Sequence, residues 1–362
     1  MEIFAASHQW ATRPADERFP SLEAMHHATQ SYADKAAEAV RPWSDLKVVA
    51  DDGDVSLSGP TGTPAKLTHY AFNQLAARAN APASFLRTLP APLAADVLAD
   101  RLTARPDQRN NAQILFHQNG GLVVRALTTD NYVRIWNHEV IARLVDLSKR
   151  FGLVPGRQTF AWDGSPLPPE SERPASLYAS DHDMFAFLMS SARTMIDPVG
   201  QPMHKGVIVQ NSEVGDCALK IMGFWFRDVC CNHIIWGARE LTEVRLTHVG
   251  QIRSRWIDAS LTVRRYLDED TSRDAARFQE TTVPIAGDKN KVLDLVFAKR
   301  IPELTRKALA AGFEAVVPEQ DGDPRSKWGL AQGLTRFSQT QPYGDERQGL
   351  DRAAGKLLQV AF

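Results

Sequence analysis

Cysteine is scarce in this chain. Three occur in 362 residues, an odd number that argues against a disulfide framework and fits a reducing compartment. Charge of one sign is not in excess either: 42 Lys and Arg against 43 Asp and Glu leave a formal net charge of -1. The totals therefore supply no general attraction to nucleic acid or acidic lipid, and any basic surface has to be local. No apolar run is long enough to span a bilayer. The opening "MEIFAASHQWATRPADERF" turns polar too soon for a secretory leader. The expectation is a cytoplasmic protein with no membrane partner. Repeats and low-complexity tracts are missing. So are the motifs G-x-x-x-x-G-K-[ST], G-x-G-x-x-G after a strand, H-E-x-x-H and G-x-S-x-G, which counts against the common cofactor and hydrolase classes. No cofactor and no metal are expected.

What is present reads as an α+β chain. Hydrophobic residues make up 43% and charged residues 23%, sufficient for a large core. "EAMHHATQSYADKAAEAV" reads as an alanine-rich helix after an N-terminal loop, and "LKVVADDGDVSLSG" as a hairpin about its D-D-G-D turn. "LTHYAFNQLAARA", "PASFLRTL" and "APLAADVLADRL" read as three helices opened by Thr or Pro. "AQILFHQ", "GLVVRALTT" and "YVRIW" read as strands, and Asn137 is placed to cap the helix "HEVIARLVDLSKRFG". Beyond a Pro-rich loop, "GVIVQN", "CALKIMG" and "FWFRDVCCNHIIW" predict three strands with turns at "SEVGD" and around Gly223. A long helical stretch begins near Val249.

The expected fold is antiparallel sheet with helices packed on one side, a β-β-β-α central core, and helical N- and C-terminal flanks. Three divisions follow: 1–154, a helical segment plus a strand-strand-helix lobe; 155–176, the Pro-rich loop; and 177–362, the core with its helical tail. The same pieces can also form one composite domain.

The stretch "RDVCCNHIIWG" gathers Cys230, Cys231 and His233. A zinc site needs two ligand pairs at defined spacing, and only one adjacent pair is here. On a strand, neighbouring side chains point to opposite faces, which splits Cys230 from Cys231. Cys231 and His233 share a face but need distant partners such as Cys217 or His204. A reactive thiol needs an exposed electropositive setting, and this segment is mostly apolar. Buried strand cysteines are the plainer reading. Asp181, His182 and Asp183 in "ASDHDMF" suit either a cation or a turn with an N-cap before an apolar run. The turns at Asn119 and at Asn211 to Glu213 are ordinary hairpin chemistry that can also face a ligand. Arg253, Arg255, Arg264 and Arg265 interleave with Trp256 and Tyr266, a pattern that suits phosphate contact and base stacking. Nearby Asp258, Asp268, Glu269 and Asp270 equally make it a solvated helix face. Arg125 and Arg227 sit in apolar strands, where an unpaired charge is costly. Each is either half of a structural ion pair or part of an anion groove; Glu213 is the carboxylate proposed for Arg125.

Several phrases together resemble the DUF932 family of phage/plasmid-like proteins. "LVVRALTTDNYVRIWNHEVIARL" is similar to its Arg-Ala-x-x-[Ser/Thr]-x-x-Tyr signature, and "QNSEVGDCALKIMGFWFRDVCCNHI" to its N-S-E-x-G turn followed by R-x-V-C-x-N. "KWGLAQGLTRFSQTQPYGDERQGLDRAAGKLL" resembles its closing pattern and "SHQWATRPADERFPSL" its opening. The resemblance places Arg125, Thr129 and Tyr132 in the first signature. It places Asn211, Glu213, Gly215, Arg227, Cys230 and Asn232 in the second. Cys231 and His233 fall where members carry a small residue or glycine. A mobile-element setting is implied, with no established activity.

Three functions remain in view. The first is a nucleic-acid-handling protein that binds or anneals single-stranded DNA as a homo-oligomer, because the β-β-β-α order from Gly206 to about Phe278 resembles Rad52-like annealing proteins. Arg125, Tyr132, Glu213, Arg227, Asn232 and the four arginines after Val249 are its candidate ligand-binding residues. The second is an enzyme acting on a nucleotide or nucleic acid at the polar turns. The third is a protein-binding counter-defence factor.

Overall fold

The computed structural model describes residues 15–104, 111–118, 120–156, 175–227, 235–240, 248, 252–338, 340 and 344–362. Helix α1 (Leu22–Asp34) opens on Ser21, whose hydroxyl accepts from the Ala24 amide at 3.1 Å. The alanine run that continues its pattern is a strand instead. β1 (Ala36–Arg41) pairs along its whole length with a later strand, from Ala36 opposite His117 to Arg41 opposite Ala112. A full ladder outweighs the helix preference of alanine. β2 (Val48–Asp51) and β3 (Asp54–Ser58) form the expected hairpin, with Asp52 and Gly53 both at positive φ, as a two-residue turn demands. After β4 (Pro64–Leu67) come α2 (His69–Arg78), α3 (Ala83–Leu86) and α4 (Ala91–Thr103). Thr68 caps α2, while Pro82 and Pro90 precede the other two.

β5 (Ala112–Gln118) and β6 (Leu122–Thr129) complete a six-stranded sheet in the order β1-β5-β6-β4-β3-β2, antiparallel except where β4 meets β6. Phe72, Leu75, Leu98 and Leu102 of the helices cover one face, packed on Leu57, Ile114, Phe116 and Val124.

Residues 132–136 form no strand; they lead irregularly into α5 (Asn137–Phe151), which Gly152 ends at φ 62. Asn137 is the first helical residue rather than the cap, which is Trp136 and offers no side-chain bond. β7 (Leu153–Pro155), β8 (Leu177–Ala179), β9 (Met184–Ile196), β10 (Pro202–Asn211), β11 (Lys220–Arg227) and β12 (Ile235–Glu240) build a second sheet. Its order is β12-β11-β10-β9-β7, with β8 also on β9, and every pairing is antiparallel. Asp181 and Asp183 thus stand in a turn between β8 and β9 and cap no helix.

Gly223 does not turn the chain either. It lies inside β11, where an added Cβ would stand 2.4 Å from Cζ of Tyr266. Tyr266 belongs to α6 (Ile252–Asp268), which follows β10, β11 and β12 and completes the β-β-β-α core. Met25 of α1, Ile141 and Leu144 of α5 and Val263 of α6 pack with Leu188, Val207, Val209 and Ile221 of the sheet. Phe185, Phe187, Ile208, Met222 and Phe224 form a separate buried cluster from the alternate positions of the same strands.

The tail is helical: α7 (Ser272–Thr281), α8 (Lys289–Phe297), α9 (Arg306–Glu314), α10 (Pro318–Asp321), α11 (Lys327–Ser338) and α12 (Gly344–Gln359). It closes over Met195, Met203 and Trp225 at one end of the second sheet, around the fully buried Trp328. α9 and α11 cross so closely that a Cβ on Gly333 would stand 2.0 Å from the Gly312 carbonyl. The whole is a mixed α+β fold. No helix among the described residues is long and apolar enough to cross a membrane.

Candidate functional site

The polar side chains converge where the β10–β11 turn docks under the first sheet. Leu115 pairs with Ala126 but Phe116 pairs with Val124, so Arg125 is the extra residue of a bulge in β6. A bulge re-aims a side chain, and here it drives a guanidinium into the interior, 2% exposed. Burial at that level requires a partner. Nη1 lies 2.9 Å from Glu213 Oε2, a charge contact rather than an aligned hydrogen bond. Nε and Nη2 donate to the Asp181 carbonyl at 3.2 and 2.6 Å. The guanidinium carbon stands 4.4 Å over the Tyr32 ring, and Tyr32 stacks at 3.8 Å on His117. Burial holds the His117 imidazole below its ordinary pKa, reinforced by the Arg125 charge.

Glu213 serves two partners. Its Oε1 accepts the Asn137 amide at 2.8 Å, the first free N–H of α5, where a carboxylate meets the positive end of the helix. Its backbone carbonyl accepts from Arg134 Nη1, and Arg134 Nε reaches Glu38 of β1. Around it, Asn211 Nδ2 donates to the Ile135 carbonyl at 2.9 Å and to Asn137 Oδ1 at 2.8 Å. Tyr132 Oη donates to the Ser212 carbonyl at 3.0 Å, and Ser212 Oγ to the His182 carbonyl at 2.6 Å. Gln74 of α2 donates to the Val214 carbonyl and accepts the Leu127 amide, both at 2.8 Å. Gly215, at φ 91, lets the turn close against the Tyr132 ring. Glu213 and Val214 are thereby tied to Arg125 of β6 and Gln74 of α2 on the first sheet, and Asn211 and Glu213 to Asn137 at the start of α5.

Beside this junction the 180–183 turn reaches solvent. His182 Nδ1 donates to Asp181 Oδ1 at 2.8 Å, and Ser180 Oγ donates to Asp183 Oδ1 at 2.6 Å. The His182 hydrogen bond holds the Asp181 carboxyl below the usual carboxylate range. Tyr70 lies nearly parallel to His182 at 6.3 Å. Cys217 is half-buried, and burial with the neighbouring Asp216 pushes its thiol up to about 12, so it is protonated at neutral pH and unsuited to nucleophilic work. His248 stacks on Tyr132 at 4.8 Å, and burial lowers its pKa. Among the described residues no three His, Cys, Asp or Glu gather for a metal. A cleft of about 400 Å³ beside α2 is lined by Lys66, His69 and Arg87. Its cations have partners, Lys66 with Asp52 and Arg87 with Asn73.

The candidate residues read from the sequence therefore separate. Arg125, Tyr132 and Glu213 meet at the junction, each engaged within the protein. Arg227 ends β11 opposite Met203. Arg253, Arg255, Arg264 and Arg265 lie on α6; Arg264 and Arg265 are exposed, and Arg264 Nε stands 3.4 Å from Asp268. Asn119, Asp228, Cys230, Cys231, Asn232 and His233 lie outside the described residues. Sequence reasoning missed Tyr32, Gln74, His117, Arg134 and Asn137 as members of this network. None carries a local signal, because each contact is made to a distant segment.

Fold and junction together define an α+β protein of two sheets fastened through a buried charge pair. Residues 170–348 match the family model described as "Domain of unknown function (DUF932)", and that region belongs to the DUF932 family, which the sequence motifs resemble. The N-S-E-x-G turn falls inside the match; the strand signature at 125–132 precedes it. No curated protein and no solved structure matches the chain.

Proposed function

We propose that this chain handles nucleic acid, holding a single strand by its phosphate backbone and stacked bases without a nucleotide cofactor. The observation that carries the reading is the β-β-β-α core, in which α6 buries Val263 and Tyr266 on the sheet and leaves Arg264 and Arg265 outside. Cations on a rigid helix suit phosphates, which position a strand without reading its sequence. A mobile-element setting and a homo-oligomer along the strand complete the proposal. With a net charge of -1 the attraction is local, so binding is expected to fall steeply with salt. Labelled single-stranded DNA titrated across a salt series, with light scattering on the same samples, tests it. Saltable binding by an oligomer supports the reading; a monomer that binds nothing at low salt overturns it and favours a protein-binding factor.

A second reading has its own observation. The two polar turns proposed for an enzyme do adjoin, through Ser212 Oγ and the His182 carbonyl at 2.6 Å, and the exposed Asp181–His182 pair can exchange a proton with a ligand. Hydrolysis of nucleotides or DNA by the intact chain, abolished by His182→Ala with the fold kept, is the result this reading requires.

A further inference from the structure

We propose that the corner between α8 and α9 is a further surface on which the single strand lies, an inference that rests on the nucleic-acid reading and adds a stacking contact to the phosphate contacts of α6. Phe297, at the end of α8, is 41% exposed, and Phe362 nearby is 48% exposed. A cation stands over each ring: the Arg306 guanidinium carbon is 5.3 Å from the Phe297 centre, and Lys299 Nζ is 4.9 Å from that of Phe362. Arg300 follows at φ 51, just past the helix end.

Lys299, Arg300 and Lys307 are exposed, and among the described residues none has a carboxylate within salt-bridge reach. Arg306 does contact Asp294, but both side chains are more than half exposed, so water and salt weaken that pair and a phosphate can compete for it. Between 289 and 307 six Lys or Arg stand against two acids, in a chain whose net charge is -1. The arginines of α6 differ in this respect, because Asp268, Glu269 and Asp270 follow them directly.

Exposed rings alternating with cations match a ligand that alternates flat bases with phosphates. An anionic membrane is the other surface such residues attract, and it fits less well. A membrane-seated helix presents an apolar face with its cations at the rim. Here Arg306 and Lys299 sit over the rings themselves, and α8 is only 9 residues long.

The test is fluorescence anisotropy with labelled oligo-dT and the full chain, comparing wild type with Phe297→Ala, with Lys299→Ala/Lys307→Ala, and with Arg264→Ala/Arg265→Ala. All the altered side chains are exposed, and unchanged thermal melts establish that each variant is folded. Loss of one stacking ring is expected to weaken binding about tenfold. Loss of two phosphate contacts, at Lys299 and Lys307 or at Arg264 and Arg265, is expected to reduce the salt slope by about 1.4. If wild type binds but the Phe297 and lysine variants bind equally well, the surface assignment is wrong and the nucleic-acid reading stands. If wild type binds no strand, both fail. Binding to vesicles of anionic lipid without binding to oligo-dT assigns the corner to a membrane and overturns the proposal.

Discussion

Arg125 shows how one residue can be legible from sequence in its need and illegible in its solution. Its place in an apolar strand demands a carboxylate, and Glu213 answers with 1% and 3% of the two side chains exposed. The rest of its environment is set by tertiary contacts. The Asp181 carbonyl comes from 56 residues away, and the second role of Glu213, at the start of α5, spans 76; no local pattern encodes either. Removing one partner leaves the other buried and uncompensated, so Arg125→Met or Glu213→Gln is expected to cost about 3–5 kcal/mol in urea unfolding. The double variant should cost clearly less than the two single losses added together; strict additivity in that cycle would show the pair to be uncoupled.

The same neighbourhood predicts a pH response. Burial depresses the pKa of His117 and of His248 from 6.5. Below that value the unfolded chain binds more protons than the folded one, so stability rises with pH and is lost progressively as pH falls from 6.5 toward the folded values. Asp181, also depressed, adds stability that is present above its unfolded 3.8 and disappears only at lower pH still, a separate window. Unfolding midpoints measured at about pH 7.5 and about pH 5.5 should therefore differ, and His117→Phe should shrink the difference. An undiminished slope in that variant would place the titration elsewhere.

Elements were readable wherever their signals are local. Thr68, Pro82 and Pro90 announce three helices, and the D-D-G-D turn announces its hairpin. Misreadings arise where a partner decides. β1 is a strand because β5 lies beside it, and the apolar run at 184–196 is a strand because β8, β7 and β10 all pair with β9. Gly223 looks like a turn in sequence and is a contact in space, since glycine lets α6 lay the Tyr266 ring flat on β11 with its hydroxyl donating to the Phe224 carbonyl at 2.9 Å. Gly223→Ala puts a methyl group into that ring and is expected to destabilise by about 1–3 kcal/mol. Pairing it with Tyr266→Leu, which vacates the ring's volume, should recover part of the loss; no recovery would point to the strand itself.

At the scale of the whole molecule the fold class and the β-β-β-α order were accessible, because runs of strands followed by runs of helices exclude strict alternation. The relation between the sheets was not. α1, which precedes every strand of the first sheet, packs on α5 and the second sheet instead, and β1 directly after it pairs in the first. Nor does composition show where charge collects, since a net charge of -1 averages over acidic and basic corners alike.

The clamped turn at 211–217 has a practical consequence for anyone re-engineering the chain. Two hairpin turns look equally permissive in sequence. Asp52 and Gly53 are exposed, touching little, and should accept an inserted peptide tag without loss of folded yield. The same tag between Glu213 and Val214 has to part Asn211, Glu213 and Val214 from their partners in α2 and α5, and should leave the protein insoluble or poorly folded. Equal yields from the two insertions would mean that the sheets hold together without that turn. Unequal yields would mark it as the place where the chain tolerates no extra length.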